Sequence, residues 1–426
     1  MRYTSGFIYY ICGERLNLGF LTRDLRISSR KFLAAILLNS GTLAWFFLLI
    51  YYLKEFFPAI SLNDPLWSSY QIGECLFFGS AIIWAIVNSV IGSRTSRRYI
   101  LGSSILLGTF STMLAAVVQG TFFAAIISFL LGMSLGLGLP SSMAVVADYT
   151  VVEERARVSG TVILGAFILA ISTIGVIGLL QLEILTAVLL FTLVRSTSLL
   201  ALIFDKGNVE KPELQQKTRL PSGAYREFLF YLIPWVMFTV AAGLASNLIP
   251  PDIDKSFGEA MRFVFIAVFG FGSGIAADKF GRRRTIMAGT LILGTSFALI
   301  GLFGMSQTLV TIYLAVSGIA WGLFFVVFLA VPGDLSVLGS REKFYGLGYM
   351  LPIAILFGLA SIPITYIFPP GVEGSVTQSL SLLIYLSIIP VWRAKETLPE
   401  GKMRERKLRD YTEKVGEIIQ ESRKRR

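Results

Sequence analysis

Four cations and one acid share a stretch of eleven residues. Gly274–Arg284 reads GIAADKFGRRR, with Asp278 ahead of Lys279, Arg282, Arg283 and Arg284. A carboxylate beside guanidinium groups makes the strong, charge-assisted class of hydrogen bond. At a helix end it can hold or release a neighbouring element. Related groups recur elsewhere: Asp148 is followed seven residues later by Arg155, and Asp334 seven residues later by Arg341. Adding 185 turns positions 94, 97 and 98, all Arg, into Lys279, Arg282 and Arg283, and adding 186 turns Asp148 and Arg155 into Asp334 and Arg341. Basic loops alone would be explained by membrane orientation, to which acids contribute little. The three Asp residues therefore point to an electrostatic latch. We expect Asp278 to act with Lys279, Arg282, Arg283, Asp334 and Arg341, and a weaker twin to form from Asp148, Arg155, Arg94, Arg97 and Arg98.

Bond-making chemistry finds no support. The chain has no histidine and two cysteines, Cys12 and Cys75, which excludes His-based triads and Cys/His metal sites. No Gly-x-x-x-x-Gly-Lys-(Ser/Thr) loop is present to cradle a nucleotide. No cofactor, no metal and no enzymatic activity are expected.

The elements that must carry these loops are spelled out by composition. Of 426 residues 54% are hydrophobic and 15% charged, against about a quarter charged in a soluble domain. The chain reads as an all-α integral membrane protein. Apolar segments of the length a bilayer core demands fall near 32–53, 70–91, 99–119, 121–147, 158–180, 183–204, 225–249, 257–277, 285–303, 308–331, 345–368 and 376–392. Taking the N-terminus as cytoplasmic, 34 of the 38 Lys and Arg residues lie on that side. The positive-inside bias thus puts both termini in the cytoplasm of a multi-pass plasma-membrane protein. The net charge of +11 is an orientation signal, and no nucleic-acid partner is implied. Phe7–Cys12 is an apolar run of six, shorter than the ~7–15 of a secretory signal's core, so none is expected. The segments divide as a cytoplasmic lead-in over 1–31, a six-helix bundle over 32–204, a polar linker over 205–224, a second bundle over 225–392, and a basic tail helix over 393–426. The tail carries an apolar stripe at Leu408, Tyr411, Val415 and Ile418 suited to the inner leaflet.

The spacing Gly-x-x-x-Asp-(Arg/Lys)-x-Gly-Arg-(Arg/Lys), met by Gly274, Asp278, Lys279, Gly281, Arg282 and Arg283, resembles the signature loop of the major facilitator superfamily. Glu396, Thr397, Pro399 and Glu400 after the last span resemble the Glu-Thr motif of its sugar and organic-ion porters. The first-half loop departs from the pattern, with Ser93 where the acid is expected. The resemblance implies twelve helices in two pseudo-symmetric bundles and alternating access to a site between them. It implies a functional monomer that moves a small organic solute by proton symport or uniport. Helix 5 has no proline beside Gly160, Gly165, Gly175 or Gly178, unlike proton-driven drug antiporters, which remain the alternative mechanism. A non-transporting receptor or scaffold on the same fold is the alternative of another class.

By the same resemblance the first, fourth, seventh and tenth helices line the pore. That makes Asn39, Thr42, Trp235, Asn247, Tyr313 and Trp321 candidates for the substrate cavity. Glu74, one turn into the second span, is the proton-coupling candidate. Arg195, about ten residues from either end of its span, is expected to snorkel or to pair with a partner.

Overall fold

The computed structural model describes residues 25–52, 69–92, 95–117, 121–204, 223–250, 253–337, 339–360 and 372–399, with Gly401 and Val415. Arg94, the linker over 205–222 and most of the expected tail helix lie outside the described residues.

Among the described residues twelve helices are long and apolar enough to cross a membrane. They are α1 Ser29–Tyr51, α2 Ser69–Ile91, α3 Arg97–Val117, α4 Thr121–Tyr149, α5 Arg155–Leu180, α6 Ile184–Phe204, α7 Ala224–Ser246, α8 Ser256–Phe280, α9 Arg282–Phe303 and α10 Gln307–Leu335. α11 spans Arg341–Ala360 and α12 runs as Glu373–Leu386 and Ile388–Arg393. Hydrocarbon leaves backbone amides no other partner, so a twenty-residue apolar run closes its hydrogen bonds upon itself as a helix. Gly281 alone separates α8 from α9. Its φ of 104° lies in the region open to glycine, and its N–H closes on Ala277 O at 3.1 Å. α11 changes pitch for one π-helical turn, Gly346–Met350. The missing N–H of Pro352, which would have bonded the carbonyl of residue 348, falls just beyond that turn.

The helices form two bundles of six with the same internal plan. α1 packs on α5 and α6, α2 on α4, and α3 on α4 and α6; α7 packs on α11, α8 on α10, and α9 on α10 and α12. The symmetry reaches single residues. Gly132 and Gly136 bring α4 against the backbone of α2 at Phe77 and Ala81, and Gly318 and Gly322 bring α10 against α8 at Arg262 and Gly270. These pairs stand 186 positions apart, the offset that relates Asp148 to Asp334. Small residues every fourth position let helices meet without side chains between them. The two bundles meet through α5 on α8 and α2 on α11, with α10 also touching α4 and α5. The short basic loops among the described residues fall at one end of these seams, here termed the basic face.

Candidate functional site

At the basic face one ionic layer ties the bundles together. Asp334, in the last turn of α10, has a wholly buried side chain and two guanidinium partners. Its Oδ1 accepts from Arg155 Nη1 at 2.6 Å, and its Oδ2 accepts from Arg282 Nε at 3.3 Å and from Thr397 Oγ1 at 3.0 Å. Arg155 also donates to the carbonyls of Ala147 and Thr150 at 3.0 Å each. Arg282 donates to Asp278 Oδ1 and Ala277 O at 2.7 Å, and across the seam to Val152 O at 2.6 Å. Asp278 occupies the N-terminus of α5 in the opposite bundle. It accepts from the backbone N–H of Ala156 and Arg157 at 3.3 and 3.0 Å and from Arg157 Nε at 3.2 Å. A carboxylate there meets the helix dipole as well as the orphan amides. Asp148 joins Arg97 of its own bundle to Arg341 of the other, and Arg97 Nε reaches on to Glu342 Oε1 at 2.8 Å.

The residues expected to form two separate latches lie in a single ionic layer. The two Asp…Arg repeats exchange partners across the seam, Asp148 with Arg341 and Asp334 with Arg155, because a two-fold arrangement brings each residue to the other's counterpart. Arg157 and Glu342 join the layer although the sequence reading passed over them; each lies within two residues of a flagged arginine. Three expected members point elsewhere. Arg98 Nη2 reaches Leu202 O at 3.4 Å, Lys279 is exposed beside the Phe280 ring, and Arg283 Nη1 is 3.5 Å from Ala394 O. The chain after α12 supports the layer from below. Glu396 accepts from the backbone N–H of Arg282 at 2.8 Å and of Arg283 at 3.1 Å, capping α9, while Tyr231 Oη donates to Lys395 O at 2.7 Å.

Toward the opposite face the bundles part around a cavity of about 380 Å³. α1 contributes Phe46, Phe47, Ile50 and Tyr51, and α8 contributes Glu259, Arg262, Phe263 and Ile266 below Lys255. Tyr313, Trp321 and Phe325 of α10 and Phe357 of α11 complete its aromatic wall. The size and the largely apolar lining with few polar groups suit a small-molecule site.

Of the six cavity candidates, Tyr313 and Trp321 line this space. The other four do not. Asn39 Nδ2 donates to Ala35 O at 2.9 Å and Ser142 O at 3.0 Å, which ties α1 to α4. Asn247 Nδ2 donates to Leu359 O at 3.1 Å, joining the end of α7 to α11. Trp235 is buried within its bundle, stacked against Phe324 and Phe328. Thr42 faces Arg195. The cost of exposing an amide to lipid turns it inward, and here backbone carbonyls of neighbouring helices receive it. Glu74 is buried on α2 and is not part of the cavity wall.

Arg195 does not snorkel but is paired, and among the described residues its partners are two hydroxyls and a ring. It is fully buried at the centre of the first bundle, donating to Thr42 Oγ1 at 2.7 Å and Ser134 Oγ at 3.3 Å, with its guanidinium 4.5 Å above the Trp45 ring. Its Nε has no hydrogen-bond partner. Thr42 and Ser134 already donate to Leu38 O and Ser104 O, so loss of the arginine orphans no donor. Replacing a buried charge by an apolar side chain of similar length is often neutral or stabilising. Arg195→Met is therefore expected to leave thermal stability unchanged or raise it by about 2 kcal/mol. Thermal unfolding in nanodiscs checks this, and a clear fall in Tm would show that the cation–ring and hydroxyl contacts outweigh the burial.

No protein-family model and no curated protein matches the chain. Solved structures do. The human organic anion transporter MFSD10 (TETRAN) superposes with a TM-score of 0.62 at 15% identity, over 85% of this chain and 99% of that one. FucP, a major facilitator superfamily transporter in the outward conformation, superposes with a TM-score of 0.62 at 13% identity, over 86% and 99%. At such identities the likeness is one of fold, and the fold is that of the major facilitators.

Proposed function

We propose that this chain is a secondary transporter that carries a small organic solute across the plasma membrane by alternating access. The observation that carries the reading is the joint presence of a seal and an opening on one seam. Buried ion pairs close the basic face while a solute-sized cavity lies between the same two bundles toward the other. Rocking the bundles about this seam breaks the cross-bundle pairs and turns the cavity over to the basic face. The distribution of Lys and Arg supports a cytoplasmic basic face, so that the described state opens outward. The protein works as a monomer within lipid, as proton symporter or uniporter, with no nucleic-acid partner and no catalytic role.

Reconstitution tests this. Purified protein in proteoliposomes is expected to give saturable flux of at least one solute from a panel of sugars, carboxylates, amino acids and drug-like cations, chosen by the rise in Tm each causes. A solute that raises Tm yet never crosses would favour a receptor or scaffold. Solute movement against an opposing proton flux would make the protein an efflux antiporter. For that mechanism Glu259 is the acid facing the cavity, held 3.0 Å from Arg262.

A further inference from the structure

The cavity wall is sorted by chemistry along its depth. Lys255, Glu259, Arg262, Phe263 and Ile266 lie at intervals of four, three, one and three, which is one face of α8. The charges occupy its outer end and the apolar residues its inner end. Among the described residues no other charged side chain lines the cavity, and the deeper wall is Phe46, Trp321, Phe325 and Phe357. The charged end therefore holds two cations and one carboxylate. Glu259 is engaged by Arg262 on the same helix at 3.0 Å, both about a quarter to a third exposed. Lys255, half-buried at the helix start, lies 3.4 Å from Ile249 O. The first turn of α8 adds its positive dipole end at the same place. Asp254, just outside the wall, is exposed and bound to Ser256, which holds its carboxyl below the usual range.

Resting on the reading of this cavity as the transport site, we propose that its ligand is an amphipathic organic monoanion. A carboxylate or sulfonate head sits at Lys255 and Arg262, and an aromatic or aliphatic body lies along the inner wall. The lining argues against the other classes. A sugar needs many donors and acceptors around its ring, and a hydroxyl buried without partners is strongly disfavoured; beyond its three charged groups the wall offers, among the described residues, Ser246, Tyr51, Tyr313 and the indole N–H of Trp321. A cation would have to share Glu259 with Arg262 and remain beside two positive charges. A guanidinium and an ammonium over an apolar wall match instead a single anionic head on an apolar body.

The test uses analogues that share a phenylalkyl body and differ in the charge of the head: 4-phenylbutyrate, its isosteric amide, 4-phenylbutylamine and the zwitterion homophenylalanine, with glucose as an unrelated control. Calorimetric titration into protein-loaded nanodiscs, referenced to empty ones, is expected to show the anion binding at least tenfold more tightly than any of the others. Lys255→Gln, at a half-buried position, is expected to weaken the anion about tenfold and leave the amide unchanged. Equal affinities across the series, tighter binding of the amine or zwitterion, or an unaltered anion affinity in Lys255→Gln would overturn the proposal. Flux of the same probes separates it from the transport reading. Anion binding without anion flux defeats transport and leaves the ligand class standing. Flux of homophenylalanine or glucose with no anion binding does the reverse.

Discussion

Replacing Asp334 by Asn is expected to swing the resting protein toward the state open at its basic face by about two orders of magnitude. Removing one partner from a buried ion pair costs about 3–5 kcal/mol, since the other charge stays buried and uncompensated. Asp334 has two guanidinium partners, Arg155 across the seam and Arg282 in its own bundle. The Arg282 pair survives when the bundles part, so its loss weighs on both states. In the proposed rocking motion the Arg155 pair exists only in the closed state and sets the shift. Taking about 3 kcal/mol for that share gives roughly a hundredfold change in population, at 1.4 kcal/mol for each tenfold. Ala147, buried directly beneath the layer beside Gly333, serves as the reporter. In protein whose native cysteines are replaced by serine, Ala147→Cys is expected to react with a maleimide from the basic face about a hundred times faster when Asp334→Asn is added. Arg155→Met, which leaves Asp334 its Arg282 partner, is expected to act in the same direction with less damage to the fold. An unchanged labelling rate in both variants would show that the layer does not hold the bundles closed.

Gly322→Val is expected to destabilise the second bundle by about 3 kcal/mol. A Cβ at Gly322 would stand 2.7 Å from Gly270 N and 3.0 Å from Ile266 O, both backbone atoms of α8 that no rotamer change can move. The two helices must separate, and the dispersion contacts along their whole interface are lost with them. Gly175→Val is the control, because nothing lies within 4 Å of its Cβ. Thermal unfolding in nanodiscs should show a large fall in Tm for the first and almost none for the second. Similar Tm values would mean that α8 and α10 have slack that their glycines do not suggest.

Much of the architecture was open to inference from the chain alone, for a physical reason. Hydrocarbon imposes a length on each helix and a sign on each loop, and both survive in a single sequence. The repeat of Asp148…Arg155 as Asp334…Arg341 named four members of the ionic layer. It identifies equivalent positions without saying which meet, so the exchange across the seam had to come from the structure. Arg157 keeps a basic counterpart 186 positions on in Lys343, a match the repeat offered, whereas Glu342 corresponds to Ala156. Residues without a counterpart leave no such trace. The cavity was the least legible part. Asn39 and Asn247 were marked by the cost of exposing amides to lipid, and that cost is met equally well by a neighbouring helix. The residues that do line the space, Phe46, Phe263 and Phe357 among them, look in sequence like any that face lipid or core. Only the charged stripe of α8 could have been noticed, since Lys255, Glu259 and Arg262 fall on one side of a helix that is otherwise apolar at that end.

The ionic layer is unevenly shared between the bodies it joins. One bundle brings Arg97, Arg155 and Arg157 with the lone carboxylate of Asp148. The other brings Asp278, Asp334 and Glu342, with Glu396 beneath them, against Arg282 and Arg341. Counted over these groups, the closed layer is neutral. Pulled apart it becomes a charged capacitor, one plate two units positive and the other two units negative, with water and mobile ions as the filling. At physiological ionic strength the field between such plates decays within about 8 Å, so the restoring pull is short-ranged. It is strongest as the plates are about to touch, and dissolved salt lowers the work of drawing them apart.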